Sequence, residues 1–271
     1  MNLIQMTTAL ELGLLFSLVS LGVYLSFRVL QFPDLTVDGS FSLGAAVFVI
    51  CVSRGLHPGI ALFLSALAGA LAGLLTAILS TRLKILNLMA GILVMIALYS
   101  INIRILGGPN LALATIGDTN LLELLLLVAG VFGVVFWFLS TQIGLALRAT
   151  GENPRMARAQ GINESSMIHL GLSLSNALVA LAGALFAQIQ GFADVSMGIG
   201  MIVLGLVSIV IGEALLSPRT VLRGLIGCLL GAVIYRFLVA FALNSHVIHL
   251  EASDLNLVTA ILIILAMVVK R

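Results

Sequence analysis

Charged side chains are scarce in this chain of 271 residues: they make up 9% of the sequence, whereas 61% of the residues are hydrophobic. A soluble domain carries about 25% charged residues, because its surface faces water. This chain cannot cover such a surface, so we predict that it is embedded in a lipid bilayer. Its formal net charge of +2 is too small to indicate a nucleic-acid partner.

Cysteines and enzyme motifs are also few. Cys51 and Cys228 both lie in apolar segments, which argues against a disulfide framework or a cysteine metal site. There is no HExxH, no GxSxG and no glycine-rich GK[ST] loop, so we expect no catalytic residues and no nucleotide site on this chain. The stretch HVIH, His246–His249, is followed by Glu251 and Asp254 but lacks a fixed third ligand, and we expect no metal site there.

Long apolar runs are abundant instead. A helix needs about 20 apolar residues to cross the hydrocarbon core, and seven segments reach that length. They are Ala9–Phe32, Pro58–Thr81, Asn87–Leu106, Leu121–Ser140, Ser166–Gln188, Met197–Leu216 and Leu222–Leu243, and two shorter segments, Ser40–Ser53 and Leu255–Val269, are ambiguous by length. We therefore predict an all-α polytopic membrane protein, a bundle of about nine transmembrane helices that forms a single domain over residues 1–271.

The basic residues predict the orientation of this bundle, because they collect in cytoplasmic loops. If the C-terminus is inside, nine crossings put ten basic residues on the cytoplasmic side: Arg28, Arg82, Lys84, Arg148, Arg155, Arg158, Arg219, Arg223, Lys270 and Arg271. Only Arg54 and Arg104 fall at outer ends. We predict that the N-terminus lies outside, although a re-entrant segment at Ser40–Ser53 would change this parity.

The stretch PDLTVDGS, Pro33–Ser40, interrupts an otherwise apolar run. Pro33 lacks a backbone donor and Gly39 tolerates a positive φ, so we predict a broken helix here, followed by a short helix, Phe41–Val49. A second acidic, broken stretch precedes small residues at Gly191–Leu206. Because paired interruptions in two halves of a chain indicate a transport site, we predict that this break lines a translocation pathway at a dimer interface.

Polar side chains near the break and in the spans complete the candidate pathway, since such groups usually face the interior of a bundle. The candidates are Asp38, Ser40, Phe41, Ser42, Asn87, Asn176 and Gln188. Two alternatives remain open. The break is a cytoplasmic loop in which Asp34 and Asp38 are solvated or paired with Arg28, or the amides in the spans form hydrogen bonds that hold helices together.

The stretch RATGENPRMARAQGINES, Arg148–Ser166, is the one part of the chain that is typical of a soluble helix. Asn153 can cap a helix, Pro154 suits its first position, and Gly161 supplies a left-handed stop. The helix so bounded, PRMARAQ, is about two turns long and would be marginal alone in water. We predict that it docks on a partner at the cytoplasmic face, because a solvated connector needs no stop signals at both ends.

The segment GLALRATGENPRMARAQGIN resembles the cytoplasmic coupling loop of ABC-importer permeases of the branched-chain amino acid and ribose type. The matching positions are Arg148, Gly151, Asn153, Pro154, Ala157 and Gly161. Three further stretches, GVYLSFRVLQFPDLTVDGSFSLGAA, AGILVMIALYSINIRILGGPN and GLVSIVIGEALLSPRTVLRGLIG, resemble a subgroup described as uncharacterised amino acid permeases. The resemblance covers nearly the whole chain and does not specify a solute.

This resemblance implies a permease of the inner (plasma) membrane that pairs with a second permease chain and is surrounded by membrane lipid. Two cytoplasmic ABC ATPase subunits, which use ATP and Mg, would drive it, and an extracytoplasmic substrate-binding protein would deliver the solute. The chain itself would bind no cofactor and catalyse no reaction. The loop at about 141–165 would carry the ATPase-coupling residues, which are Glu152, Asn153, Pro154, Arg155, Ala157, Arg158 and Gly161.

The scarcity of ionisable groups within the spans favours a neutral or zwitterionic solute, such as an amino acid. A secondary transporter or channel without an ATPase is the main alternative, and it would need a relay of Asp, Glu or His residues inside the spans. The chain has almost none there. In a third class, a structural subunit with no pathway, the docking helix would be an assembly contact only.

Overall fold

The computed structural model describes residues 3–113, 121–217 and 219–243, which are nearly all helical. The helices are α1 (Leu3–Val23), α2 (Thr36–Ser53), α3 (Pro58–Thr81), α4 (Asn87–Leu106), α5 (Leu121–Ser140), α6 (Gln142–Glu152), α7 (Pro154–Ala159), α8 (Glu164–Gln190), α9 (Met201–Leu215) and α10 (Val221–Leu243). Helix α1 runs directly into a π-helical segment, Tyr24–Val29. Two short strands, β1 (Asn110–Ala112) and β2 (Phe192–Asp194), pair antiparallel.

Seven helices are long and apolar enough to cross a membrane. These candidate spans are Gln5–Val29, Thr36–Ser53, Pro58–Thr81, Asn87–Leu106, Leu121–Ser140, Glu164–Gln190 and Val221–Ala242. The predicted span at Met197–Leu216 is instead a 15-residue helix, α9, because residues 195–200 form turns before it. The predicted span Leu255–Val269 and the HVIH stretch lie outside the described residues. Within the described ranges, the predicted count of about nine becomes seven spans and one shorter apolar helix.

The predicted break in the first half is real but shorter than expected. Residues 30–35 are non-helical, and α2 already begins at Thr36, whose backbone N–H donates to Asp34 Oδ1 at 2.9 Å. The ambiguous segment Ser40–Ser53 is thus part of an 18-residue helix of spanning length. The predicted break over Pro33–Ser40 therefore does not extend to Gly39, which lies inside α2. A Cβ added to Gly39 would lie 2.9 Å from Leu98 Cδ1, so the glycine serves the close approach of α4.

Helices α1, α2 and α8 form the centre of the bundle, with Leu15 and Phe48 among their fully buried side chains. Helices α3, α4 and α5 lie outside them and expose large apolar side chains such as Phe63 and Trp137. Such a surface is suited to lipid and not to water. Small residues let α3 approach the central helix α8 closely: a Cβ added to Gly73 of α3 would lie 2.8 Å from Asn176 Nδ2 of α8.

One end of the bundle collects basic residues, and we call it the basic end. Arg28, Arg148 and Arg219 line a cavity of about 490 Å³ there, together with Glu152. Arg28 Nε lies 2.7 Å from Glu213 Oε1. Arg28 is therefore engaged with α9, and the alternative in which it pairs with Asp34 or Asp38 is wrong. Strands β1 and β2 lie at the other end, after α4 and α8.

Candidate functional site

The two interrupted segments of the sequence meet in the structure. Asp38, in the first turn of α2, accepts hydrogen bonds from the backbone of Gly200 at 3.0 Å and of Ile202 at 2.8 Å. Ser42 Oγ accepts from the Gly198 backbone at 3.0 Å. A carboxylate of α2 thereby satisfies free N–H groups at the N-terminus of α9, where the helix dipole favours negative charge. The two broken stretches form one junction inside the bundle.

A cavity of about 290 Å³ lies beside this junction, and we call it the junction cavity. Its wall is formed by Asp38, Gly39, Ser42, Met95, Ile96, Tyr99, Asn102, Val195 and Ile199. Most of these residues are apolar, and three polar side chains interrupt them. Ile96, Tyr99 and Ile199 are exposed, so the cavity opens on the side of the bundle. A mostly apolar cavity with a few convergent polar groups is typical of a small-molecule site.

A second, fully buried polar cluster fixes the loop that precedes α2. Asp34 Oδ2 accepts from Asn176 Nδ2 at 2.6 Å, and Ser40 Oγ donates to Asn176 Oδ1 at 2.7 Å. All three side chains have no exposed surface. Thr36 and Thr76 share a hydrogen bond of 2.6 Å beside them. Because the amide of Asn176 is satisfied by protein groups, this cluster joins α2 to α8 and does not face the junction cavity.

The seven predicted pathway residues are thus divided among different places. Asp38 and Ser42 line the junction cavity, and Ser40 and Asn176 belong to the buried cluster. The other three lie elsewhere. Phe41 is fully buried, with its ring 5.7 Å from that of Phe186, Asn87 is exposed at the start of α4, and Gln188 is half-buried near the end of α8.

Sequence reasoning did not find the other half of the junction. Gly200 has φ +89°, and α9 has no side-chain cap from its own flanking residues. Its partner, Asp38, is 162 residues away, so no local pattern marks the start of this helix. The only sequence signal was the similarity of the two broken stretches. Asn102 was recognisable as an amide inside a span, but its position beside Gly39 was not.

The predicted helix after Asn153 is confirmed as a local structure. Asn153 Oδ1 accepts from the Met156 backbone at 3.1 Å, Pro154 occupies the first turn, and Gly161 has φ +82°. The helix ends at Ala159, one residue earlier than predicted. Among the predicted coupling residues only Ala157 is buried; the rest, Glu152, Asn153, Pro154, Arg155, Arg158 and Gly161, are exposed. Helix α7 therefore presents nearly its whole surface.

Helix α6 connects this exposed helix to the centre of the bundle. Leu147 is fully buried, and its Cδ1 would lie 3.0 Å from a Cβ added to Gly171 of α8. Gly151 lies against the backbone of Val29 and Leu30, at the end of the π-helical segment. Through Leu30, Gly151 also contacts the non-helical residues 30–35. Within these residues, Asp34 accepts a hydrogen bond from Asn176 of α8. The structure thus contains a continuous line of packed elements from α7 to α2.

Comparison with known proteins agrees with this architecture. Residues 5–268 match the family described as branched-chain amino acid transport system permease component. The chain is 40% identical over 258 residues to a tyrosine transport system permease protein of Clostridioides difficile (strain R20291), which covers 93% of this chain and 86% of that protein. It is 35% identical over 262 residues to an uncharacterised protein of Rickettsia prowazekii (strain Madrid E), with 92% and 91% covered.

Solved structures show the same fold at low sequence identity. The structure of PsaBC from Streptococcus pneumoniae in complex with Fab matches with a TM-score of 0.59 at 15% identity, covering 97% of this chain and 89% of that one. An inward-facing ABC transporter of the metal-chelate type matches with a TM-score of 0.51 at 17% identity, covering 98% and 84%. The chain belongs to the family of branched-chain amino acid transport system permeases and is the permease component of an ABC transporter.

Proposed function

We propose that this chain, as one permease domain, works in an ATP-driven importer that moves a small solute of the amino acid class into the cytoplasm. The tyrosine transport relative supports this class of solute. The observation that carries the proposal is α7, a capped helix of six residues that is exposed on nearly all sides at the basic end. Because so short a helix is marginal alone, we infer that a cytoplasmic ABC ATPase covers it.

The basic end faces the cytoplasm in this proposal, because basic residues are retained on that side of a membrane. Helix α1 and its π-helical extension reach the basic end at Arg28, so the N-terminus lies outside in this proposal, and the proposed position of the C-terminus is cytoplasmic. The opposite end, with β1 and β2, receives the solute from a substrate-binding protein. ATP and Mg are used by the ATPase, and this chain supplies its docking surface and the pathway.

Coupling between the two ends follows the packed elements. Closure of the ATPase pair moves α7 and, with it, α6. Since Gly151 of α6 lies against the Val29 backbone, the movement passes to the π-helical segment and to residues 30–35. Asp34 and Asn176 hold this loop to α8, so it moves together with the start of α2. Asp38 and Ser42 of α2 then shift at the junction cavity, where the solute passes.

A second copy of the chain completes the pathway in this proposal. The junction cavity opens at the side of the bundle, between Tyr99 of α4 and Ile199 before α9, which are 53% and 77% exposed. In a single chain, lipid would contact Tyr99 and Ile199 at the opening of a cavity that contains the Asp38 carboxylate. A carboxylate next to lipid is unfavourable. A second permease chain at this face would enclose the cavity and provide the other wall.

The coupling role is tested by Gly161→Val, because a β-branched residue strongly disfavours the positive φ that ends α7. The matched control is Gly130→Val in α5, where an added Cβ meets nothing within 4 Å. We expect both variants to insert and dimerise, and only Gly161→Val to lose capture of the ATPase or ATP-driven uptake in proteoliposomes. Normal capture and uptake by Gly161→Val would contradict the role of α7, and uptake without ATP would indicate a secondary transporter.

A further inference from the structure

The cavity at the basic end, which we call the basic cavity, is not explained by the transport pathway. It has a volume of about 490 Å³ and lies between the π-helical segment, α6 and the start of α10. Among the described residues that line it, Arg28, Arg148 and Arg219 are basic and Glu152 is acidic. The wall therefore carries a net charge of +2, three positive charges less one negative charge. Because like charges in one cavity repel one another, this arrangement favours an anionic ligand.

The three arginines keep donors for such an anion. Arg28 forms an ion pair with Glu213, but 56% of its side chain is exposed. Arg148 donates from Nε to a backbone carbonyl of its own helix at 3.4 Å, and Arg219 is exposed and forms no ion pair within the described ranges. A guanidinium has five N–H groups in a planar fork that matches the oxygens of a phosphate, so one bond to the protein leaves others available.

Neutral groups in the wall add further donors. Thr220 Oγ1 accepts from the Arg223 backbone at 3.3 Å and keeps its own hydroxyl hydrogen to donate. Thr220 also directly precedes α10, whose dipole favours negative charge at that end. Gln31 lines the cavity with φ +53°, and residues in such rarely populated backbone conformations collect at ligand sites. These groups support the arginines in binding an anion.

The basic cavity lies at the level of the membrane surface. Its wall includes Tyr24 and Val29, at the end of the candidate span Gln5–Val29, and Val221, the first residue of the candidate span Val221–Ala242. The headgroups of phospholipids lie at this depth. Val29 and Val221 place apolar surface next to the arginines, which suits a lipid better than a free ion, because a lipid joins its phosphate to acyl chains. Basic pockets between transmembrane helices are known to bind anionic headgroups.

We propose that the basic cavity binds the phosphate group of an anionic phospholipid. Arg28, Arg148 and Arg219 donate hydrogen bonds to the phosphate oxygens, and the apolar part of the wall contacts the start of the acyl chains. The bound lipid connects the π-helical segment, α6 and the start of α10, which all contribute to the cavity. This site goes beyond the proposed import function, because it does not depend on the solute.

The test counts lipids on the intact permease–ATPase complex by native mass spectrometry in a neutral detergent. The probes are phosphatidylglycerol, which is anionic, and phosphatidylcholine with the same acyl chains, in which a quaternary ammonium offsets the phosphate charge. A basic residue near the membrane surface strengthens the binding of an anionic lipid about fivefold, so a net charge of +2 predicts a preference for phosphatidylglycerol of at least about tenfold. Equal binding of the two lipids would overturn the proposal.

Variants that change one charge assign the lipid to the basic cavity. Arg219→Gln and Arg148→Gln should each weaken binding of phosphatidylglycerol about fivefold. Glu152→Gln removes the negative charge of the wall and should strengthen binding, which a merely damaged protein would not do. The matched control is Arg82→Gln, which should leave binding unchanged, since Arg82 is exposed after α3 and does not line the cavity. Wild-type binding by both Arg219→Gln and Arg148→Gln would refute the assignment.

Two other outcomes would identify a different ligand. Inorganic phosphate shares the chemistry of the headgroup, and we expect an excess of it not to displace phosphatidylglycerol, relative to chloride at the same ionic strength. Displacement that is lost in Arg219→Gln would overturn the lipid as the source and assign the cavity to a soluble phosphate. If Arg219→Gln instead lowers recovery of the ATPase and binds phosphatidylglycerol like the wild type, the cavity accepts an acidic side chain of the ATPase and the proposal is wrong.

Discussion

The contact between α6 and the π-helical segment provides a direct test of mechanical coupling. A Cβ added to Gly151 would lie 2.9 Å from the Val29 carbonyl carbon and 3.0 Å from Leu30 Cα, and closer still to the Val29 carbonyl oxygen. Ordinary contacts begin at 3.4 Å, so Gly151→Ala must separate the two backbones by more than the 0.5 Å between 2.9 and 3.4 Å, because the Val29 carbonyl oxygen is closer than its carbon. A gap of about 0.5–1 Å already removes a quarter to a half of a dispersion contact, and overpacking costs about 1–3 kcal/mol.

We therefore expect Gly151→Ala to lower the midpoint of thermal unfolding in detergent and to reduce ATP-driven uptake. Capture of the ATPase should remain, because the exposed surface of α7 is unchanged. The matched control is Gly130→Ala, where the new Cβ meets nothing within 4 Å and alanine favours the helix by up to about 1 kcal/mol. If Gly151→Ala shows the wild-type midpoint and the wild-type uptake per captured ATPase, then α6 does not transmit the movement.

Three further outcomes are expected. On intact cells an impermeant thiol reagent should label Asn2→Cys and not Glu152→Cys, and the reverse pattern would contradict the orientation. Ser42→Trp should fill the junction cavity and abolish uptake while the complex still elutes as an assembled particle, and unimpaired uptake would exclude this route for the solute. Asn176→Leu leaves Asp34 and Ser40 without their partner and should destabilise the bundle by on the order of 3 kcal/mol, so an unchanged unfolding midpoint would argue against the buried cluster.

The features that depend on neighbouring residues were predictable from the sequence. The caps of α7 and the bounds of α3, α4 and α5 follow from local signals: an Asn–Pro pair, a terminal glycine, and uniformly apolar runs of spanning length. The early start of α2 was not predicted, because Gly39 tolerates a positive φ in the sequence but is helical in the structure, where α2 begins two residues after Asp34.

The junction depends on contacts between distant parts of the chain, and these contacts could not be predicted from the sequence. Nothing near Gly200 indicates that its helix is capped by a residue of α2. Polarity also did not distinguish between environments: Asn176 and Asn102 are both amides inside spans, yet the first is satisfied within the core, and the oxygen of the second has no hydrogen-bond partner within the described residues. Only the three-dimensional positions of their neighbours distinguish these two environments.

The pairing of Asp34 with Asn176 also has a consequence for biosynthesis. The two residues are 142 positions apart, so the ribosome completes α3 to α7 before the partner of Asp34 exists. A carboxylate that is removed from water without a hydrogen-bond partner is unfavourable. That penalty applies to the nascent chain and disappears in the finished bundle. We therefore expect residues 30–35 to remain in contact with water during synthesis. We expect α2 to reach its final position only when α8 enters the membrane.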